Sequence, residues 1–295
     1  MEYTCKNNLN SEHGGVAFSA MVGVYVILSL FVPLILQIFL SVQSNAFNMV
    51  CLTFSTVAMI TVIFAFKTKR KVPFVQLINA KGCDAIWYVV SLLLAIGMFF
   101  GLGWLNGVVA NLFESLGLNA EGASISITNL SEYIAYVVVI AVLPAVCEEA
   151  FFRGLILNSL DGCKKVAIIL AGGLLFALYH CSAVQLVYQF IYGAILTALA
   201  LKAKSCLPCV LAHFLNNFAV LTCIYFNLQI DLYNPLFITG GAIMLVLGVL
   251  AIVGYKGKLF DGDKQCSASV FGAFFPYGLI GLVICLGLIA GGLFV

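Results

Sequence analysis

The sequence predicts an all-α, polytopic membrane protein: a helical bundle of about eight to nine transmembrane helices. Three observations point there. Of 295 residues, 63% are hydrophobic and only 9% are charged, whereas soluble domains carry about a quarter charged residues. The apolar residues gather in runs near twenty long, the length a helix needs to cross a hydrocarbon core of about 30 Å. Polar and apolar positions do not alternate within the runs, which excludes a β-barrel and leaves helices that satisfy their own backbone in lipid.

Nine apolar segments follow in order. The first, 16–42, is too long for a signal-peptide core, and polar residues 1–15 carry no cleavage pattern, so it reads as a span. The second, 47–66, ends at a run of basic residues. The third, 85–112, holds Gly97-x-x-x-Gly101, spaced for close helix approach, and Trp87 and Trp104, read as interface anchors or packing. The fourth, 132–159, contains Pro144, which frees a backbone carbonyl one turn before Glu148 and opens room for water. Segments 164–181, 185–201 and 206–226 follow across short loops. The last two are 236–255 and 269–294, the latter with Gly287-x-x-x-Gly291. Loops 67–84 and 113–131, the longest, suit amphipathic or re-entrant pieces. The expected division is 1–124 with about three helices, a core at 125–225, and two helices in 226–295, with no separate soluble domain.

Basic residues set the orientation. Lys67, Lys69, Arg70, Lys71 and Lys81, then Lys164 and Lys165, Lys202 and Lys204, and Lys256, Lys258 and Lys264 fall in every second loop. Loops 43–46, 113–131, 182–184 and 227–235 contain neither Lys nor Arg. The positive-inside rule then makes the N-terminus cytoplasmic and the C-terminus external, in a multi-pass protein suited to a bacterial cell membrane. A net charge of +2 held in these loops excludes nucleic acid as a partner. The eleven cysteines show no metal-binding spacing, and Cys206-x-x-Cys209 lacks the βαβ context of a redox motif.

Against this background, three spans carry polar groups: Glu148, Glu149 and Arg153 in the fourth, His180 in the fifth, His213 and Asn217 in the seventh. A charge near mid-bilayer costs about 2.5–3.5 kcal/mol, so three isolated ones would cost roughly 8–10 kcal/mol, as much as a whole domain's stability. They persist only by facing inward and satisfying one another or water. Glu149 and Arg153, four apart, can pair; Glu148 lies on an adjacent face without that partner, which suits a general base. Phe176 and His180 share a face, as do His213 and Asn217, whereas Asn216 does not. Counting inward from the turns near 162 and 204 places all of them within one slab of the membrane, in its cytoplasmic half or near the midplane. His13, in the polar N-terminal segment, reads as incidental.

The ordered set Glu148-Glu149-x-x-x-Arg153, Phe176-x-x-x-His180 and His213-x-x-x-Asn217 resembles the CPBP intramembrane protease family, which takes in type II CAAX prenyl endopeptidases and the Abi bacteriocin-processing and immunity proteins. The resemblance covers about residues 125–225, without departure from the motifs. It implies a peptide-bond hydrolase in which Glu148 and His180 activate water, His213 and Asn217 stabilise the oxyanion, and Glu149, Arg153 and Phe176 shape the site. Its partners would be membrane lipid and a peptide or membrane-associated polypeptide, prenylated or bearing a leader. No metal is assured. Glu148, His180 and His213 could hold zinc with water in the fourth position, but the same residues could run metal-free general-base chemistry, the version slightly favoured. Two other functions compete: a non-catalytic membrane scaffold or immunity protein, and a proton-coupled transporter. The transporter should show repeat symmetry and broken helices in corresponding halves, which the sequence lacks.

Overall fold

The computed structural model describes residues 9–120, 125–257, 259, 272 and 274–293, among which no strand occurs. Expectations that fall on residues 1–8, 121–124, 269–271, Lys258 and Lys264 lie outside the described residues. The helices are α1 Ser11–Leu36, α2 Asn45–Arg70, α3 Ile86–Ser115, α4 Leu130–Ser159, α5 Lys165–Tyr179, α6 Leu186–Ala203, α7 Leu207–Tyr225, α8 Pro235–Gly254 and α9 Phe275–Gly292. Eight are long and apolar enough to cross a membrane; α5 is shorter. Large apolar side chains such as Ile27, Leu30, Leu34, Val246 and Ile280 are more than half exposed, while Glu149 and Arg153 are fully buried. That is the inside-out polarity of a bundle solvated by lipid.

Local sequence explains the ends and contacts. α1 begins at a reciprocal cap, the Asn10 side chain accepting from the His13 amide and the His13 ring accepting from the Asn10 amide. His13 is therefore a helix-capping residue. The Gly97-x-x-x-Gly101 spacing does bring helices together: a β-carbon on Gly97 would sit 2.6 Å from the Leu245 nitrogen and one on Gly101 2.9 Å from that of Ala242, both on α8. Gly287 and Gly291 behave differently, since no described atom lies within 4 Å of a β-carbon at either. α9 meets α1 elsewhere, at Gly281, where a β-carbon would stand 2.9 Å from the Phe18 ring. Trp87 is a core residue, 5% exposed and edge-on to Tyr255. Cys206 and Cys209 are free, with Cys209 Sγ donating to the Leu196 carbonyl.

The two ends of the bundle differ in charge. Apart from Arg153, every described Lys and Arg lies at one end, where the loops are stitched together. Cys206 N donates to Asn79 O, Asn158 Nδ2 to the Gln76 and Leu77 carbonyls, and Lys165 Nζ to Leu259 O at 2.7 Å. The loop after α2 is tucked inward by these bonds, with Leu77 of its one-turn helix Phe74–Leu77 fully buried. Ser11 of α1 meets Cys163 at the same end. Asn45 to Ser126 and the Asn119 amide to the Leu293 carbonyl mark the opposite end. There the described ionisable side chains include Glu114, Glu132 and Asp231 but no Lys or Arg. The described starts of α1 and ends of α9 thus fall at opposite ends of the bundle.

The fifth and sixth segments depart from expectation. At 15 residues α5 rises roughly 22 Å, well short of a hydrocarbon core of about 30 Å. The turn at 180–185, expected to be an external loop, is instead drawn in to the level of the site, where His180 and Gln185 line a cavity. Irregular backbone at such depth is tolerated only beside a water-filled space. Glycines let this hairpin pack tightly: a β-carbon on Gly193 of α6 would come 2.8 Å from the Phe176 β-carbon.

Gly241→Leu, whose side chain would enter the Gly101 backbone, is expected to cost about 1–3 kcal/mol of stability by overpacking. Gly287→Leu should change little, and thermal unfolding of both variants in micelles checks the contrast.

Candidate functional site

α4 is wound irregularly where it matters. π-helical turns at Val137–Val142 and Ala150–Ile156 flank an α-helical Leu143–Glu149. Pro144 has no N–H, so the Ile140 carbonyl one turn earlier loses its helical donor. Asn217 Nδ2 of α7 supplies the replacement at 2.9 Å. A side chain from a neighbouring helix thus repairs the break, as proline in a membrane helix requires. The same bond fixes Asn217 against α4.

One turn on, Glu149 and Arg153 form the ion pair their spacing predicts, Nη1 to Oε1 at 2.9 Å, both side chains fully buried. His213 Nδ1 lies 2.9 Å from the same carboxylate oxygen. Arg153 Nη2 donates to the Gly193 carbonyl, and its guanidinium stands 4.5 Å from the centre of the Phe176 ring. That ring also packs edge-on to His180 at 4.7 Å and His213 at 5.9 Å. Four helices therefore meet on one buried knot of charge and aromatic surface. Removing one partner of such a pair costs about 3–5 kcal/mol, because the other charge is left uncompensated in the interior.

Above the knot lies a cavity of about 550 Å³ lined by Glu148, His180, His213, Asn216 and Asn217 among others. Glu149, Arg153 and Phe176 stand behind its wall. Glu148 Oε1 accepts from the Tyr179 hydroxyl at 3.2 Å, while its Oε2 is buried without a partner. His180, at the C-terminal end of α5, turns Nδ1 to the Phe176 carbonyl at 2.7 Å. A carbonyl only accepts, so the proton sits on Nδ1 and Nε2 is the basic nitrogen. In His213 the contact with Glu149 likewise occupies Nδ1 and leaves Nε2 for the cavity. Sharing a face with His213 does not separate the two asparagines: both line the cavity, and Asn216 is the more deeply buried. Tyr188 donates to Asn216 Oδ1 at 2.9 Å, and Asn216 Nδ2 to Asn217 Oδ1 at 3.4 Å.

The donors weighed for zinc do not assemble as a metal site. Among the described residues no three His, Cys, Asp or Glu side chains come together at ligating range. Glu148, His180 and His213 share the cavity but not one ion-sized point within it. Sequence reasoning also missed part of the wall, Tyr188, Gln189 and Tyr192 on α6, and Tyr179, which donates to Glu148. A usable signal was present, since Gln185 with Gln189 and Tyr188 with Tyr192 repeat polar atoms four residues apart in an apolar helix.

Residues 130–219, which hold Glu148, Glu149, Arg153, Phe176, His180, His213 and Asn217, match the family model for type II CAAX prenyl endopeptidase, Rce1-like. No curated protein and no solved structure matches the chain.

Arg153→Met should cost about 3–5 kcal/mol by leaving Glu149 buried and unpaired, read by chemical unfolding in micelles. Asn217→Ala should cost about 1–3 kcal/mol through the orphaned Ile140 carbonyl. In a Pro144→Ala background, where a backbone N–H is restored, that loss should shrink; a double-mutant cycle measures the difference.

Proposed function

On the premise that residues 130–219 are of the Rce1-like, type II CAAX prenyl endopeptidase family, we propose that the protein is an intramembrane endopeptidase that hydrolyses a peptide bond of a membrane-associated polypeptide. The observation that carries this reading is two side chains of one cavity lining, each with one polar atom anchored: Glu148, whose Oε2 is buried without a partner, and His180, whose Nδ1 anchor leaves Nε2 as the acceptor. A water between them would give its proton to Glu148, with His180 Nε2 accepting its second hydrogen bond and fixing its direction. Hydroxide then adds to the scissile carbonyl carbon. The tetrahedral oxyanion would take hydrogen bonds from His213, held through Nδ1 by Glu149, and from the second Nδ2 hydrogen of Asn217. Glu148 returns its proton to the departing amine, and the bond breaks.

Glu149, Arg153 and Phe176 do not touch the reacting atoms in this scheme; they hold His213 and His180 in place. The scheme routes no step through a metal, since the donor set does not converge. A proton-coupled transporter is disfavoured because the polar groups gather in α4 to α7 without the repeat symmetry in corresponding halves that such a protein would show. By the positive-inside rule the lysine end is cytoplasmic, which puts the N-terminus inside and the C-terminus outside a membrane of bacterial type. The substrate would be a leader-bearing or otherwise membrane-associated polypeptide, prenylated or not.

The test is purified protein in detergent with a panel of prenylated and unprenylated peptides. Glu148→Ala and His180→Ala should each abolish cleavage, Lys202→Ala should not, and cleavage should persist under strong chelation. Activity surviving Glu148→Ala would remove that residue as the base; activity lost to chelation and restored by zinc would replace the scheme with a metal-dependent one.

A further inference from the structure

We propose that the polypeptide enters this site from the membrane face opposite the lysine-bearing loops, the extracytoplasmic face. Three observations carry it. The first is where the cavity's outer lining comes from. Leu52 lies near the start of α2, Asn106 near the end of α3, Ile224 at the end of α7 and Leu232 in the loop that follows. All belong to the end of the bundle that holds no described Lys or Arg. The second is the gradient of burial along the cavity. Asn106 and Leu232 are half-buried, whereas Glu148 and His213 at the inner end are 6% and 3% exposed. The mouth is therefore at the lysine-free end and the floor near mid-bundle.

The third observation closes the other route. Below the floor the Glu149–Arg153–His213 knot and the buried side chains of Phe151, Leu155 and Ile156 fill the space towards the lysine end. A substrate arriving from that side would have to break the buried ion pair. Along the cavity, Asn106 Oδ1 just inside the mouth, Gln189 Oε1 deeper in and the Tyr192 hydroxyl at the level of His213 are buried without partners. Buried polar atoms are rarely left so, and an extended peptide has one amide donor and one carbonyl acceptor per residue with which to satisfy them. The route is accordingly suited to unfolded backbone, and the lysine loops on the far side fix which face it serves. The identity of the entrant as a polypeptide rests on the endopeptidase reading; the direction of entry does not.

The experiment uses the full chain with single cysteines added, Asn106→Cys and Leu232→Cys at the mouth and Lys164→Cys at the lysine end, the unaltered chain giving the background of native thiols. A membrane-impermeant maleimide is applied to sealed right-side-out and inverted vesicles, and a fluorogenic peptide is then offered outside each. Labelling of both mouth thiols in right-side-out vesicles, with Lys164→Cys reacting only in inverted ones, is the expected result, together with cleavage only in right-side-out vesicles. Mouth thiols that react only in inverted vesicles, or in neither, overturn the proposal, as does cleavage confined to inverted vesicles. Expected labelling with no cleavage in either orientation supports the route and removes the endopeptidase reading instead.

Discussion

The pairing of Arg153 with Glu149 is the constraint around which this bundle is organised. A guanidinium cannot shed its proton, so a fully buried Arg must be answered by a carboxylate, carbonyls and aromatic faces or not be there at all. Here the answers come from α4 itself, from the Gly193 carbonyl on α6 and from the Phe176 ring on α5, and the carboxylate in turn holds His213 of α7. Satisfying one cation thus fixes the relative depth of four helices. Apolar packing in lipid cannot do this, because lipid tails are as good a solvent for Leu as another helix is.

A second repair operates one turn away. Pro144 interrupts α4, and Asn217 fills the vacancy on Ile140. The two π-wound stretches on either side are where the helix absorbs the irregularity, a pattern common at functional sites. The consequence is a division between atoms that hold and atoms that face the cavity. Each of Glu148, His180 and His213 commits one polar atom to the scaffold and leaves the other facing the cavity, while Asn217 engages both and keeps one Nδ2 hydrogen free, the arrangement preorganised chemistry requires.

Much of this was legible in the sequence because its signals were local. The alternation of lysine loops, the apolar runs, the Glu149–Arg153 spacing and the carbonyl freed by Pro144 depend on residues close along the chain. The structure agrees with each in geometry. What escaped depended on partners far away in sequence. Nothing near Ile140 says that Asn217 will reach it, and nothing near Glu148 names Tyr179. Helical face alone does not separate Asn217 from Asn216, for a related reason: the cavity wraps around α7 by more than one face, and both asparagines line it. Gly287-x-x-x-Gly291 carries the same local signal as Gly97-x-x-x-Gly101, yet only the latter has a helix opposite it among the described residues. Spacing gives the possibility of contact and the tertiary arrangement decides it.

The brevity of α5 carries one more consequence. A hairpin that stops several ångströms before the far interface leaves the bilayer locally thinner on that flank, and lipids beside it must tilt or compress to meet it. Thickening the membrane with longer acyl chains or sterol would press hydrocarbon over the turn and starve the interior of water. The access of water to Glu148 and His180 would then track lipid composition, with no regulatory ligand needed.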